Sequence, residues 1–151
     1  MPHSYTNLLY HLVFSTKDRR PLIDETLRPR LYEYLGGVIR GLSGIVLEIG
    51  GIADHVHLLA KLRQDRAVSD ILRDLKANSS GWVNDCKLAA PGSFAWQTGY
   101  GAFTVSESQI KKVKQYIRNQ EAHHHKTTFE EEFVALLRAH GIAYDPKHLW
   151  N

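Results

Sequence analysis

The chain has 151 residues, 43% hydrophobic and 23% charged, which is typical of one globular domain spanning residues 1–151. It has no window of about 20 apolar residues, which excludes a membrane-spanning helix, and its single cysteine excludes an internal disulfide framework. The net charge of +3 permits an anionic partner, and the N-terminal sequence has no signal-peptide pattern, so we expect a cytoplasmic protein.

The first half of the chain predicts a strand, a helix and a β-hairpin. Apolar residues alternate over residues 5–15, as in a strand that is buried on at least one side. Apolar residues recur at three- and four-residue steps over 22–41, which predicts a helix with Asp24 as its N-cap. Strands follow at 45–52 and 53–62, and the very short link between them favours an antiparallel hairpin.

Within this hairpin, Gly50 and Gly51 indicate a turn or a bulge. The second half of the chain begins with a helix and one more strand. A helix is predicted over residues 67 to about 83, with Asp65 as its cap, and a strand at about 102–105.

Two C-terminal helices complete the predicted fold. One runs over residues 106 to about 123 and the other over 127 to about 140, each opening with a capping-box pattern, and Gly141 ends the second. The order β-α-β-β-α-β followed by two helices predicts an α+β, ferredoxin-like (RRM-like) fold. In that fold an antiparallel sheet carries two helices on one face, and its first and third strands are central.

The sequence ADHVHLL places His55 and His57 two residues apart in the third strand. Side chains at i and i+2 point to the same face of a strand, so the two imidazoles project side by side. They can chelate one metal ion, contact one phosphate, or be two unrelated half-buried histidines. Since two helices cover the other face of the predicted sheet, only the C-terminal helices can approach this one.

The third helix carries Tyr116 and Gln120, which lie four residues apart and therefore share one face. One interpretation is a tyrosine at the edge of the core beside an exposed glutamine; the other is a functional pair facing the histidines. Two neutral imidazole nitrogens and one amide oxygen leave the charge of a divalent ion undiminished, so that it can act as a Lewis acid on a phosphate. Such a donor set suits Mn²⁺, and Mg²⁺ with retained waters, better than a structural Zn²⁺.

Several segments together resemble the single-tyrosine HUH transposases of bacterial insertion sequences, the IS200-like group. They are YHLVFSTKDRRP near the start, DHVHLL in the third strand, GYGAFTVS before the third helix, YIRNQEAHH on it, and HGIAYDPKHLW at the end. The resemblance covers nearly the whole chain, and the histidine pair together with the Tyr-x-x-x-Gln helix is its most specific part.

The resemblance implies a DNA transposase in which His55, His57 and Gln120 hold a divalent metal, Mg²⁺ or Mn²⁺, and Tyr116 attacks the DNA. It implies single-stranded DNA substrates with subterminal hairpins, and a 5′-phosphotyrosine intermediate that a 3′-OH later resolves. It also implies a homodimer in which each tyrosine helix can serve the partner's metal site. Such a protein is nucleoid-associated when it is bound to DNA.

Basic residues are the predicted contacts to the phosphates of the DNA backbone. Three lie in the segment KDRRP and two on the tyrosine helix: Lys17, Arg19, Arg20, Lys112 and Arg118. Local basic clusters lie at 17–21, 63–66 and 111–118, and three of them in so short a chain favour a polyanionic partner.

Two further signals lie next to the candidate ligands. Asp54 either orients the first histidine as a hydrogen-bond acceptor or shapes the entry to the strand, and we favour the strand entry. His123, His124 and His125 occupy adjacent helical positions and cannot all face one ion, so we predict that they contact DNA or solvent.

Three other functions compete with this interpretation. A domesticated relative would bind hairpin DNA or RNA without cutting it, although all four implied catalytic positions are present here. A replication or mobilisation nickase would share the chemistry but usually carries further domains. A metal-binding ferredoxin-like module without a nucleic-acid role would leave the basic tyrosine helix unexplained.

Overall fold

A computed structural model describes residues 3–89 and 93–150. Within these ranges the chain forms four strands, β1 Leu8–Ser15, β2 Ile45–Ile52, β3 His55–Leu62 and β4 Gly101–Val105. The α-helices are α1 Leu27–Gly41, α2 Val68–Asp85, α3 Ile110–Arg118, α4 Gln120–His124 and α5 Phe129–Ala139. Short 3₁₀ turns lie at Lys17–Arg19 and Glu107–Gln109.

The four strands form one antiparallel sheet in the order β2-β3-β1-β4. This is the strand order of a ferredoxin-like fold, and it confirms the predicted α+β architecture with β1 and β3 at the centre. Opposite residues of neighbouring strands share a face, and His57 lies opposite Val13 while His55 lies opposite Ser15. The central position of β3 therefore fixes both histidines in the middle of one sheet face.

The other face of the sheet carries the main hydrophobic core. Alternate residues of β1 and β3 point to this face and pack against the apolar stripes of α1 and α2. The buried side chains that meet here include Leu12, Phe14, Val56, Leu58, Leu31, Leu35, Ile71 and Leu75.

A second, smaller apolar cluster anchors α5 on the histidine face. Its buried members are Val13 of β1, Phe103 of β4, and Phe129 and Leu137 of α5. Side chains from residues 133–150 add partly buried apolar surface to it. We refer to α5 and residues 140–150 together as the C-terminal cap.

The starts of two helices follow the predicted capping residues closely. The Oδ1 atom of Asp24 accepts a hydrogen bond from the backbone N–H of Leu27 at 2.7 Å, so Asp24 caps α1 although regular helix begins three residues later. Helix α5 begins with a capping box, but its residues are Thr128 and Glu131, one position later than predicted. Glu132 lies in the first turn of α5 and is buried.

Two other predicted caps are wrong. Asp65 makes an ion pair with Arg63 and does not cap α2, which has Ala67 at its N-cap position. The side chain of Ser106 makes no capping hydrogen bond and lies 3.0 Å from the hydroxyl of Ser108, and the segment opens with a 3₁₀ turn. A neighbouring polar partner competes with the helix end in each case.

The predicted helix over residues 106 to about 123 is two helices. Asn119 has φ −92° and ψ 19°, which ends α3, and α4 begins at Gln120. A residue in this bridge conformation breaks the regular helical hydrogen-bond ladder. Tyr116 and Gln120 therefore lie on different helices rather than on one continuous face.

Gly50 has a packing function that differs from the predicted turn or bulge. It lies inside β2, opposite His57, and a Cβ atom there would lie 2.1 Å from the backbone oxygen of Ile117. The register irregularity of β2 is between Val46 and Glu48 instead. Only glycine lets α3 approach this face so closely, and this contact sets the height of Tyr116 above the sheet.

Among the described residues, none of the helices has the length and apolar character needed to cross a bilayer.

Candidate functional site

His55 and His57 are buried side by side on the face of the sheet opposite the main core. Neither side chain has measurable solvent exposure. The Nδ1 atom of His55 lies 2.7 Å from Oδ1 of Asp54, and Nδ1 of His57 lies 2.7 Å from Nε2 of His11. With Nδ1 held in this way, each ring presents Nε2 to a common space above the sheet, the arrangement that orients histidine ligands in metal sites.

This geometry changes one sequence-based interpretation and adds one contact that was not predicted. Asp54 was expected mainly to shape the strand entry, but its carboxylate also orients the His55 ring. His11 interrupts the apolar run of β1, and its ring stacks beside that of His57 with centroids 5.0 Å apart. Since opposite residues on β1 and β3 share a face, the pattern H-x-V in β1 was the available signal for this contact.

Gln120 and Tyr116 reach the same space from above. Oε1 of Gln120 lies 2.9 Å from Nε2 of His55, and the Gln120 side chain is 1% exposed. Gln120 is the first residue of α4 and directly follows the break at Asn119. The ring of Tyr116 lies 5.7 Å from that of His57, between centroids. The structure thus brings together the four residues that the sequence singled out.

The side chain of Glu132 lies between them and was not predicted. Oε1 of this carboxylate lies 3.0 Å from Nε2 of His57 and 3.2 Å from Nε2 of His55. Oε2 accepts hydrogen bonds from the hydroxyl of Tyr116 and from Nε2 of Gln120, the latter at 3.0 Å. Glu132 is 2% exposed, so the carboxylate exchanges all of its water contacts for contacts with these groups.

His124 completes the ring of donors around the Glu132 carboxylate. Its Nε2 atom lies 3.1 Å from Oε1 of Glu132 and 3.0 Å from Oε1 of Gln120. His123 lies 3.4 Å from Oε2 on the more open side, and His125 is exposed. The prediction that all three histidines contact DNA or solvent is therefore wrong for His124, because the short helix α4 turns it inward.

Burial and hydrogen bonding act in opposite directions on the charges of the site. Burial disfavours a charged His55, but hydrogen bonds to Asp54 and Glu132 outweigh it and raise the pKa of His55 to about 9. Burial alone would raise the pKa of Glu132, but hydrogen bonds from His124, His55 and His57 hold it below its usual range. Glu132 is therefore ionised and His55 is protonated at neutral pH.

His57 and His11 are neutral, because for these two rings the effect of burial outweighs that of Glu132. Burial, reinforced by neighbouring imidazoles, lowers the pKa of His57 to about 4 and that of His11 to about 3. A neutral His57 that donates from Nε2 to Glu132 must accept at Nδ1 from His11. Burial and the hydrogen bond to Glu132 raise the pKa of Tyr116, so its phenolic proton stays on the hydroxyl.

The donor atoms fit a divalent metal ion. An ion that holds neighbouring ligands at about 2.1 Å and at right angles separates them by about 3.0 Å. The separations between Nε2 of His55 and the oxygen atoms of Gln120 and Glu132 are 2.9 and 3.2 Å. His55, His57 and Glu132 form one group with ligand spacing, and His123, His124 and Glu132 form a second.

The five basic residues predicted to contact phosphates differ in their exposure and in their ion pairs. Lys17, Arg20 and Lys112 are exposed. Arg118 donates from Nε to Glu48 at 2.9 Å and remains 57% exposed. Arg19 is half-buried and contacts Glu130 and Trp150 of the C-terminal cap.

Sequence reasoning missed Glu132 because the run F-E-E-E is typical of an acidic first turn of a helix. Its only distinguishing signal is position, since the third glutamate falls on the apolar stripe that Phe129 and Phe133 define. A charged residue on an apolar stripe indicates a buried partner.

Comparisons with known proteins show the family of the chain. The sequence profile of the family described as "Transposase IS200 like" matches residues 4–120. The chain is 28% identical over 124 residues to a transposase for insertion sequence element IS200 from Salmonella typhimurium, with 80% of this chain and 81% of the relative covered. A relative of the same description from Salmonella typhi has the same identity and coverage.

Two solved structures share the fold. A protein from Deinococcus radiodurans R1 described as a transposase superimposes with a TM-score of 0.64 at 26% identity, covering 78% of this chain and 94% of its own. A REP-associated tyrosine transposase bound to a REP hairpin superimposes with a TM-score of 0.61 at 17% identity, covering 81% of this chain and 72% of its own.

Proposed function

Because the chain belongs to the family of IS200-like transposases, we propose that it cuts and rejoins single-stranded DNA through a covalent bond to Tyr116. The observation that carries this proposal is the meeting of the Tyr116 hydroxyl with His55, His57 and Gln120 around a single carboxylate. A carboxylate and a phosphodiester both present two anionic oxygen atoms, so contacts that hold one suit the other.

In the cutting step the phenolic oxygen of Tyr116 forms a bond to the scissile phosphorus, and the bond from phosphorus to the 3′ oxygen breaks. The phenolic proton is lost and the leaving oxygen gains one, so the products are a 5′-phosphotyrosine and a free 3′-OH. In the joining step another 3′-OH attacks the phosphotyrosine and restores the tyrosine. The phosphoester bond is conserved throughout, and the absence of a G-x-x-x-x-G-K-[ST] phosphate loop in the sequence is consistent with this.

His55, His57 and Gln120 would hold Mg²⁺ or Mn²⁺, which supplies Lewis-acid activation of the scissile phosphate when it is bound. Asp54 and His11 hold the two rings with Nε2 facing the common space. With a metal bound, the proton of His57 would lie on Nδ1, which would then donate to His11. Burial in the sheet excludes water from this side of the reacting phosphate, which strengthens every electrostatic contact made there. Tyr116 is partly exposed, so a DNA strand can approach it from the solvent.

The substrate that we propose is single-stranded DNA at insertion-sequence ends, next to a hairpin. The structural relative bound to a REP hairpin supports this by analogy of fold alone. Lys17, Arg19 and Arg20 precede the first helix, and Lys112 and Arg118 flank Tyr116 on α3. Their charges would neutralise backbone phosphates on both sides of the scissile bond.

We further propose that the active form is a homodimer. Strands β2 and β4 are the edges of the sheet, and unpaired strand edges favour association. Pairing of equivalent edges, or packing of the C-terminal helices, would produce a two-fold symmetric interface.

The test is formation of a covalent protein–DNA adduct. The chain is incubated with Mn²⁺ or Mg²⁺ and a panel of labelled single-stranded hairpin oligonucleotides, then boiled in detergent and separated on a gel. We expect a labelled band at the mass of protein plus DNA, absent when EDTA is present. His57→Ala should also abolish it through loss of the metal, with partial rescue at high Mn²⁺, whereas His3→Ala, at an exposed histidine, should not change it.

Hairpin binding without any adduct, in either metal and with every oligonucleotide, would contradict the enzymatic proposal. That result would favour a domesticated binding protein instead. An adduct that forms equally well in EDTA would contradict the metal-dependent mechanism.

A further inference from the structure

The ligand atoms of the candidate site are buried, and the C-terminal cap contributes Glu132 to their cover. His55 and His57 have no exposed surface, Gln120 is 1% exposed and Glu132 is 2% exposed. A scissile phosphate has to reach both the metal that these ligands would hold and the Tyr116 hydroxyl. In this structure the Glu132 carboxylate already lies between these two sets of groups.

The contacts of Glu132 match those that the substrate needs. One carboxylate oxygen faces Nε2 of His55, His57 and His124, the side on which a phosphate oxygen would be activated. The other oxygen accepts from the Tyr116 hydroxyl, the group that has to reach phosphorus. We propose that Glu132 is an internal substitute for the scissile phosphate, and that the C-terminal cap is an autoinhibitory element which single-stranded DNA displaces.

A second glutamate of α5, Glu130, occupies a residue that was predicted to contact DNA, Arg19. Glu130 lies 3.5 Å from Nε of Arg19, and the Arg19 guanidinium stacks over the ring of Trp150 at 4.8 Å. Nη1 of Arg19 is buried and has no hydrogen-bond partner among the described residues. Glu130 and Trp150 thus occupy an arginine that is otherwise suited to bind a phosphate, as Glu132 occupies the reaction centre.

The way the cap is anchored permits its displacement. Phe129 and Leu137 are the buried apolar residues of α5, and they pack into the small cluster around Val13 and Phe103. The main core, formed with α1 and α2, lies on the other face of the sheet and shares no buried residue with this cluster. Elements held by few buried apolar contacts open locally at lower free energy than the global fold.

This inference rests on the proposed function, and the direction of one measurement separates the two. Glu132→Gln keeps the size of the side chain and removes its charge. Glu33→Gln is the matched control, because Glu33 is exposed on α1, which packs on the opposite face of the sheet. The rate of adduct formation is measured with Mn²⁺ and limiting hairpin oligonucleotide, and Mn²⁺ affinity is measured by calorimetry without DNA.

We expect Glu132→Gln to form the adduct about tenfold faster or more, because removal of the charge weakens the hydrogen bonds that hold this side chain in the site. A tenfold change corresponds to about 1.4 kcal/mol. Glu33→Gln should match the wild type. If Glu132→Gln lowers both the adduct rate and the affinity for Mn²⁺, Glu132 is a permanent metal ligand and the inference is overturned. An unchanged adduct rate overturns the inference and leaves the proposed function intact.

Two measurements keep the inference testable if Glu132→Gln does not fold. Amide hydrogen exchange of the wild type is followed with and without the hairpin oligonucleotide in EDTA, where no cleavage occurs. Residues 129–139 should exchange faster in the presence of DNA while residues 27–41 stay unchanged, and equal or slower exchange of residues 129–139 overturns the inference. Glu130→Gln should bind the oligonucleotide several-fold more tightly, and binding equal to that of the wild type counts against displacement at Arg19. If neither adduct nor DNA binding is found in any variant, the proposed function fails and the inference fails with it.

Discussion

Replacing Gly50 by alanine tests whether the approach of α3 to the sheet sets the position of the nucleophile. The added Cβ atom would lie 2.1 Å from the backbone oxygen of Ile117, whereas real Cβ contacts are essentially never shorter than 3.0 Å. Neither atom can rotate away, because the Cβ atom and the backbone oxygen are both fixed by the main chain. Helix α3 therefore has to move away from β2 by about 1 Å. Such overpacking costs about 1–3 kcal/mol of stability. Tyr116 precedes Ile117, so its hydroxyl moves with the helix.

We therefore expect two measurable effects of Gly50→Ala. The melting temperature should fall by about 2–4 °C for each kcal/mol lost. Adduct formation should slow by about 100-fold, the penalty for a displacement of about 1 Å at a reacting group. Gly81→Ala in α2 is the control, because a Cβ atom there meets nothing within 4 Å and alanine favours the helix. A Gly50→Ala protein that keeps the wild-type melting temperature and adduct rate would refute this account of α3 packing.

Three other predictions use different measurements. Tyr116→Phe should retain hairpin affinity and form no adduct at any Mn²⁺ concentration, because only the attacking oxygen is removed. Mapping of the nucleotide to another tyrosine in the wild type would contradict the assignment. The metal-free protein should be most stable near pH 6.5 in urea unfolding. The pKa of His55 is raised to about 9, so the stability that protonated His55 contributes is lost as the pH rises from 6.5 to 9. The pKa of His57 is lowered to about 4, so the stability that neutral His57 contributes is lost as the pH falls from 6.5 to 4. Stability that changes in one direction only from pH 4 to 9 would contradict this. Light scattering at micromolar concentration should give about twice the 17.2 kDa of one chain, and a monomer with and without DNA would contradict the dimer.

The sheet could be predicted from the sequence because its signals are local. Alternation of apolar residues marks β1 and β3, and the short link between residues 52 and 55 forces a hairpin. Side chains alternate between the two faces along a strand, so His55 and His57, two residues apart, must share a face. These relations need no knowledge of contacts between distant segments, so the histidine side of the site was predictable.

The helical side of the site was only partly predictable, because it depends on breaks and distant contacts. The pair Tyr116 and Gln120 was recognised from a four-residue spacing, yet the helix breaks at Asn119, a residue that propensity alone does not mark as an end. Both residues still reach the site, because Glu132 joins them from another helix. Glu132 lies 75 residues from His57 in the sequence, and no periodicity relates two positions so far apart.

The site therefore combines elements that differ in how firmly they are anchored. The histidines stand on a central strand whose opposite face carries the main core, and Asp54 and His11 lock their rings. Tyr116 stands on α3, which the close approach at Gly50 seats on the same sheet. Glu132, the group that competes with substrate, stands on α5, whose two buried apolar residues belong to the smaller cluster and not to the main core. Because a competing group on a weakly anchored element can leave without disturbing the ligands or the nucleophile, displacement of the cap would expose a site that is already assembled.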